Sequence, residues 1–182
     1  MNILDLLKGG TLISDGRADE AAEGVLQYPE LFPQLIAGLQ STDDVIRGRA
    51  AHALEKVSRI HPEWFTPHLL LIIENAHQDP IPMVRWHLVM LLTNLADDKN
   101  HDPIINELLI RLEDESAFVL SWAISGLCIL GRRHPQRVPE ILKVLRPLRN
   151  VQGTAIRTRA SKAVDYLENP YLPIPKGWIK AK

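Results

Sequence analysis

Cysteine is nearly missing from this 182-residue chain. Cys128 stands alone, so no internal disulfide can form and a reducing cytoplasm is the expected setting. Long apolar runs are missing as well. Stretches such as Leu69–Ile73 are far shorter than the ~20 residues that cross a bilayer, so no membrane span is expected. Met1–Lys8 has no basic segment followed by an apolar one, so no secretory signal is expected. The period-two alternation that marks a half-buried strand is also absent. So are the phosphate loop, the dinucleotide fingerprint, Gly-x-Ser-x-Gly, His-x-x-x-His and Cys-x-x-Cys. Without these signatures no catalytic residue, no metal and no cofactor is expected, and the chain reads as a non-enzyme.

What is present fits a folded chain. Apolar residues make up 46% and charged residues 24%, with the signs interspersed, which excludes collagen-like and disordered classes. The length suits one domain over 1–182 with a sizeable core. The net charge of −1 hides a polarity. Residues 1–130 hold 9 Lys/Arg against 19 Asp/Glu, whereas residues 131–182 hold 12 against 3. Such an acidic start and basic end bear on partners or self-association rather than on fold.

The organising feature is repetition. Asp79–Leu95 reads as a turn followed by an apolar helix, and the chain repeats it. Its β-branched anchors are Ile46, Val84, Val119 and Ile156, spaced 38, 35 and 37 residues apart. Behind the first, Ala50, Leu54 and Val57 follow at i+4, i+8 and i+11, one stripe of a helix. A second helix recurs in its own register at Pro33, Pro67, Asn106 and Pro139. Pro29, Pro62 and Pro135 tighten the turn before it. The spacing predicts helices over 17–27 and 30–40, 43–59 and 63–77, 82–97 and 103–113, 116–131 and 136–149, and 154–168. Residues 2–8 form a short cap helix, stopped by Gly9-Gly10 in a left-handed exit. Ser14 or Asp15 is expected to cap the next helix, and Thr66-Pro67 to open the second helix of its repeat. A period near 37 means stacked helical hairpins, because no single hairpin can bury its own stripe.

These residues carry a family resemblance. Asp43 with Ile46-Arg47-Ala50-Leu54, Asp79 with Val84-Arg85-Leu88-Leu92, and Gly153 with Ile156-Arg157-Ala160-Val164 resemble the first helix of a HEAT repeat. Val138-Pro139-Glu140-Ile141-Leu142 is similar to its second helix. The resemblance covers about residues 16–168, leaving 1–15 as an N-terminal cap and 169–182 as a proline-rich tail. It implies an all-α fold: a right-handed α-α superhelix, or α-solenoid, of about four to five helical hairpins. Leu120 departs from the pattern by occupying the arginine position of the fourth unit. HEAT proteins mostly bind other proteins, and some bind nucleic acid.

Several side chains need a role. Arg47 and Arg85 lie one position off the apolar stripe. A buried arginine needs an acceptor, and Asp43, Asp44 or Asp79 of a neighbouring repeat can supply one, so stacking is favoured over partner contact. His61, His101 and His134 fall at turns within hairpins. With helices 8–10 Å apart they are expected to cap turns and to form a row too widely spaced for a metal site. Cys128 reads as an inert packing residue. Trp86 and Trp122 read as inter-repeat core, with an exposed hot spot or base-stacking platform as the alternative. In the tail, Tyr171, Leu172, Ile174 and Trp178 are expected to fold over the last repeat, with a free peptide motif as the alternative.

The favoured function is a non-enzymatic scaffold that binds a protein partner. Its groove is expected along the exposed sides of the second helices, at His68, Glu74, Glu107, Arg111, Glu140 and Lys143. The alternative is a nucleic-acid binder that holds phosphates at the basic end. That patch comprises Arg132, Arg133, Arg137, Lys143, Arg146, Arg149, Arg157, Arg159 and Lys162. A sub-case is kinship with the HEAT-like alkylpurine DNA glycosylases, whose motif does not map onto this chain. Head-to-tail self-association of the acidic and basic ends is the third reading.

Overall fold

The computed structural model describes residues 2–180. Among them lie nine α-helices, several 3-10 turns and no strand, which makes the fold an all-α repeat solenoid. The helices are α1 (Ala18–Gln27), α2 (Phe32–Ala37), α3 (Asp44–Ser58), α4 (Leu69–Gln78), α5 (Pro82–Leu95), α6 (His101–Ile110), α7 (Ala117–Arg133), α8 (Val138–Leu145) and α9 (Thr154–Glu168). The chain divides into two compact units, the first ending at Leu95 and the second starting at Ala96.

In the first unit α3 packs between α1 and α5, and α4 covers α5. The stripe Ile46, Ala50, Leu54 and Val57 is buried, as are Val84, Leu88, Leu92 and Leu95. Each large side chain so placed contributes roughly 1.5–3 kcal/mol. Gly48 permits this approach, since a Cβ there would come within 2.7 Å of Leu12 and 3.2 Å of Met83 Sδ. In the second unit α7 packs on α6, α8 and α9, burying Val119, Ala123, Leu127 and Leu130 against Ile156, Ala160 and Val164.

Proline reshapes the second helices. The first helices begin near their expected starts, where Asp43 Oδ1 accepts from the N–H groups of Val45 (2.8 Å) and Ile46 (3.4 Å). The second helices are shorter than predicted and are flanked by 3-10 turns at Pro29–Leu31, Gly38–Gln40, Pro62–His68, Arg111–Glu113, Pro135–Arg137 and Pro147–Asn150. Pro67 does not open α4. It sits inside the 3-10 turn, and His68 occupies the N-cap. A proline ring clashes with the carbonyl four residues back and offers no N–H, so α4 begins only after Pro67.

The cap is organised by a residue that the repeat pattern leaves out. Residues Ile3–Leu7 form a 3-10 rather than an α-helix, ended by Gly9 and Gly10 at φ +77° and +72°. Ser14 does not cap α1; its hydroxyl accepts from Gly16 N–H (3.0 Å). Asp15 lies 3.3 Å from His52 Nδ1 instead. The loop wraps the buried guanidinium of Arg49 on α3. Arg49 donates to the carbonyls of Leu7 (2.9 Å), Gly9 (2.6 Å), Thr11 (3.2 Å) and Ser14 (3.3 Å). A Cβ at Gly16, where φ is +55°, would fall 2.5 Å from that guanidinium carbon.

Arg49→Met keeps the aliphatic stem and removes every one of these donors. It is expected to lower stability by about 2–4 kcal/mol, because the loop carbonyls, that of Leu7 buried, lose their one charged partner. Urea unfolding measures the loss, and limited proteolysis should show cleavage moving into residues 8–16. A variant as stable and as resistant as wild type would remove Arg49 from this role.

Candidate functional site

Arg47 and Arg85 converge on one turn. Arg47 Nε donates to Asp79 Oδ2 (2.8 Å), and its other nitrogens reach Asp44 Oδ1 (2.6 Å) and the Ser41 carbonyl (2.9 Å). Arg85 Nη1 donates to the Asp79 carbonyl (2.8 Å). Asp79 Oδ1 also accepts from Ile81 N–H (2.8 Å). Asp79 thus ties the loop before α5 to α3, and both arginines serve packing. Arg157 keeps the habit, donating to the carbonyl of Val151 six residues back (3.2 Å). In the unit where Leu120 replaces the arginine, Asp114 accepts from Ser116 N–H (2.9 Å) and pairs with Arg111 (3.4 Å).

The histidines correct the expected spacing. His101 and His134 do not stand apart: their rings stack with centroids 3.8 Å apart. The 8–10 Å between packed helices is measured between axes, and two inward-leaning side chains close it. His52 and His87 stack likewise at 4.5 Å, and His61 stacks on Trp64 at 4.2 Å. The sequence also holds Glu74-x-x-His77 on α4, yet among the described residues no group of three His, Cys, Asp or Glu is placed to hold a metal. His87 is buried, its Nδ1 donates to the Met83 carbonyl (2.8 Å), and its Nε2 accepts from Trp86 Nε1 (3.0 Å). Burial, followed by the charge of His52, pushes its pKa down to about 3. The indole N–H accounts for Trp86, which the repeat pattern does not explain. Burial pushes the Cys128 thiol up to about 12, which makes it inert.

The expected groove residues separate into two groups. Glu107 and Arg111 are not exposed. At 4% and 9% accessibility they form a buried pair (3.0 Å) that also engages Asp114. A helix rotation of about 100° per residue places a charged residue inside when its partner stands one turn away. His68 is half-buried with its ring edge on Phe32. Glu74, Glu140 and Lys143 are exposed. Glu74 lines a cleft of about 240 Å³ in the first unit together with Gln40, Asn75 and Gln78. Leu70, one turn before Glu74 on the same face of α4, is 82% exposed.

Most of the basic patch is engaged within the chain. Arg132 donates to the carbonyls of Tyr166, Asn169 and Pro170 (2.7 Å for the last), closing the end of α9. Arg137 binds Asp102, Asn106 and Glu140, joining α6 to α8. Arg146 pairs with Glu168 (2.7 Å) and Arg149 with Asp165 (3.4 Å). Arg159 lies over the rings of Trp122 and Trp178. Arg133, Lys143 and Lys162 have no hydrogen bond or ion pair among the described residues. In the tail Trp178 is buried and Ile174 half-buried, but Tyr171 is 93% exposed and Leu172 is exposed too. Only the later part of the expected tail contact therefore forms.

The fold is that of the armadillo/HEAT-like helical repeat proteins. Among solved structures, a designed armadillo repeat protein matches with a TM-score of 0.61 at 14% identity, over 91% of this chain and 80% of its own. An engineered protein matches with a TM-score of 0.63 at 16% identity, over 91% of this chain and 78% of its own. Identities this low establish the fold alone. No family model matches the sequence, and no curated protein matches it.

Two outcomes follow from these contacts. Asp79→Ala removes the buried carboxylate shared by Arg47 and Ile81 N–H and should destabilise by about 3 kcal/mol in urea unfolding, whereas Glu74→Ala, at an exposed position of α4, should change stability by less than about 0.5 kcal/mol. Equal effects would contradict the assignment. His87 gives a pH signature. The unfolded imidazole takes up its proton near 6.5 while the folded one resists until about 3. Between those values the unfolded chain binds more protons, so stability falls as pH drops below 6.5, by up to about 1.4 kcal/mol per unit. His134, held low by burial and by His101, adds in the same direction. His87→Leu should flatten the curve of unfolding free energy between pH 6.5 and 5; an unchanged slope would mean that His87 is not the titrating group.

Proposed function

We propose that this chain is a non-enzymatic interaction scaffold of the cytoplasm that binds a protein partner on the second-helix side of its first unit. The observation that carries this reading is the cleft between the Gly38–Gln40 turn and α4. Gln40, Asn75 and Gln78 offer both donors and acceptors to a peptide backbone there. Leu70 supplies an uncovered apolar anchor beside the carboxylate of Glu74. Repeat solenoids generally serve as protein-interaction scaffolds, presenting one helix of each repeat to a ligand. In the second unit Glu140 and Lys143 remain on the surface as candidates. Glu107 and Arg111 are withdrawn from the contact set, because their charges are spent on each other. The buried free thiol of Cys128 suits a reducing compartment. A nucleic-acid track has less support, since six arginines of the basic patch are tied to carboxylates, carbonyls or indoles.

Affinity capture from nuclease-treated extract tests the reading. Proteins held by the wild type should survive nuclease and be lost with Leu70→Glu, a change that removes a hot-spot contact worth about 2 kcal/mol or more and leaves the fold intact by circular dichroism. Loss of all captured material on nuclease treatment, or full retention by Leu70→Glu, would sink it.

A further inference from the structure

The pocket under the tail is electrostatically one-sided. It encloses about 420 Å³ between α9, the start of α7 and the tail. Three cations line it: Arg159 and Lys162 of α9 and Lys176 of the tail. Three hydroxyls, of Ser121, Thr154 and Thr158, line it as well, and Trp178 supplies an indole wall. No carboxylate belongs to the lining.

Arg159 is the telling residue. Its guanidinium is partly buried between Trp122 and Trp178, 5.2 and 5.3 Å from their ring centres. It donates to the Ser121 carbonyl (3.2 Å) and to Ser125 Oγ (2.5 Å), both uncharged. No carboxylate pairs with it among the described residues. Desolvation without a counter-ion disfavours its charge, and its pKa is lowered by burial. Lys162 and Lys176 have no hydrogen bond or ion pair among the described residues either. Three arginines elsewhere at this end are matched: Arg137 by Asp102 and Glu140, Arg146 by Glu168, Arg149 by Asp165. Lys180, stacked 5.1 Å over Trp122, adds positive charge beside the pocket. α9 opens over Gly153 with no capping side chain, so its first N–H groups also favour an anion.

We propose that this pocket binds a phosphomonoester. A carboxylate is planar and carries a single charge, which would leave two cations unmatched. A phosphomonoester near neutral pH carries close to two charges and three terminal oxygens, which can take donors arriving from α7, α9 and the tail. A nucleic-acid backbone would need a run of free cations continuing from the pocket, and Arg146 and Arg149 are instead paired with Glu168 and Asp165. The phosphomonoester comes either from a phosphorylated side chain of a partner or from a small phosphorylated metabolite. The pocket lies entirely in the second unit and does not depend on the cleft proposed above as the partner site.

The test follows the indole N–H resonances of Trp122 and Trp178 in two-dimensional NMR of the full chain. The probes are a phosphoserine peptide, the same peptide unphosphorylated, glycerol 2-phosphate and a single-stranded oligonucleotide, all at one ionic strength. Saturable shifts are expected with the phosphopeptide or with glycerol 2-phosphate and not with the serine peptide. A tighter phosphopeptide identifies a protein source, and equal affinities identify a small metabolite. Lys162→Glu with Lys176→Glu, both on the surface, should weaken binding about tenfold or more, since two charge-assisted contacts are lost, while the thermal midpoint stays within the spread of wild type. Three results would overturn the proposal: no shift with either phosphomonoester, binding undiminished in the double variant, or an affinity for the oligonucleotide that exceeds the others and grows with its length.

Discussion

The stripe Ile46–Ala50–Leu54–Val57 cannot be covered within its own hairpin, and the rest of the molecule follows from that constraint. α3 is apolar enough on two sides to need α1 before it and α5 behind it. Once first helices must stack in this way, their spacing and the loops between them are fixed by side-chain volume. Gly48 is part of the same requirement, because a methyl group there would collide with Leu12 and crowd Met83 of α5. Stability in such a chain is a sum of neighbour contacts, each worth little by itself and ineffective without the next.

Stacking brings polar groups into places that would otherwise be costly. Loops between hairpins end in carbonyls that no helix satisfies, and long cations reach them. Arg49 gathers the loop of residues 7–14, Arg47 and Arg85 gather the Asp79 turn, and Arg132 closes the end of α9. A guanidinium suits this work because five N–H groups on one plane can serve several carbonyls at once. The stacked imidazoles obey the same geometry. His52 with His87 and His101 with His134 come from successive repeats, and burial together with the neighbouring imidazole holds the pKa of His87 and of His134 down.

The distribution of charge acquires meaning only after these internal contacts are removed from it. The basic end holds 12 Lys/Arg against 3 Asp/Glu in sequence, yet most of its arginines are consumed by carboxylates, carbonyls or indole faces. Of the cations left without a carboxylate, Arg159, Lys162 and Lys176 gather in one pocket, beside the buried Trp178 of the tail. On the other unit the reverse holds: the polar lining of the cleft near α4 is three amides and the carboxylates of Glu74 and Asp79, with an apolar side chain exposed beside it. The two surfaces therefore suit ligands of different chemistry.

By itself the sequence determined the all-α class, the repeat, the stripe residues and the structural use of Arg47 and Arg85. These are set by periodicity and by the intolerance of buried charge, both of which are local in the chain or repeat within it. The depth of the 3-10 turns around Pro67 and the placement of Ser14 were set by competing local hydrogen bonds, which residue identity alone does not rank. Only the tertiary structure decided which charges face solvent. Glu107 and Arg111 looked exposed on a helical projection and are buried against each other, while Tyr171 looked apolar enough to dock and does not. The same holds for His101 and His134, for the role of Arg49 and for the pocket at Arg159. Each depends on a group about one repeat away along the chain, which only the stacking of neighbouring hairpins brings within reach.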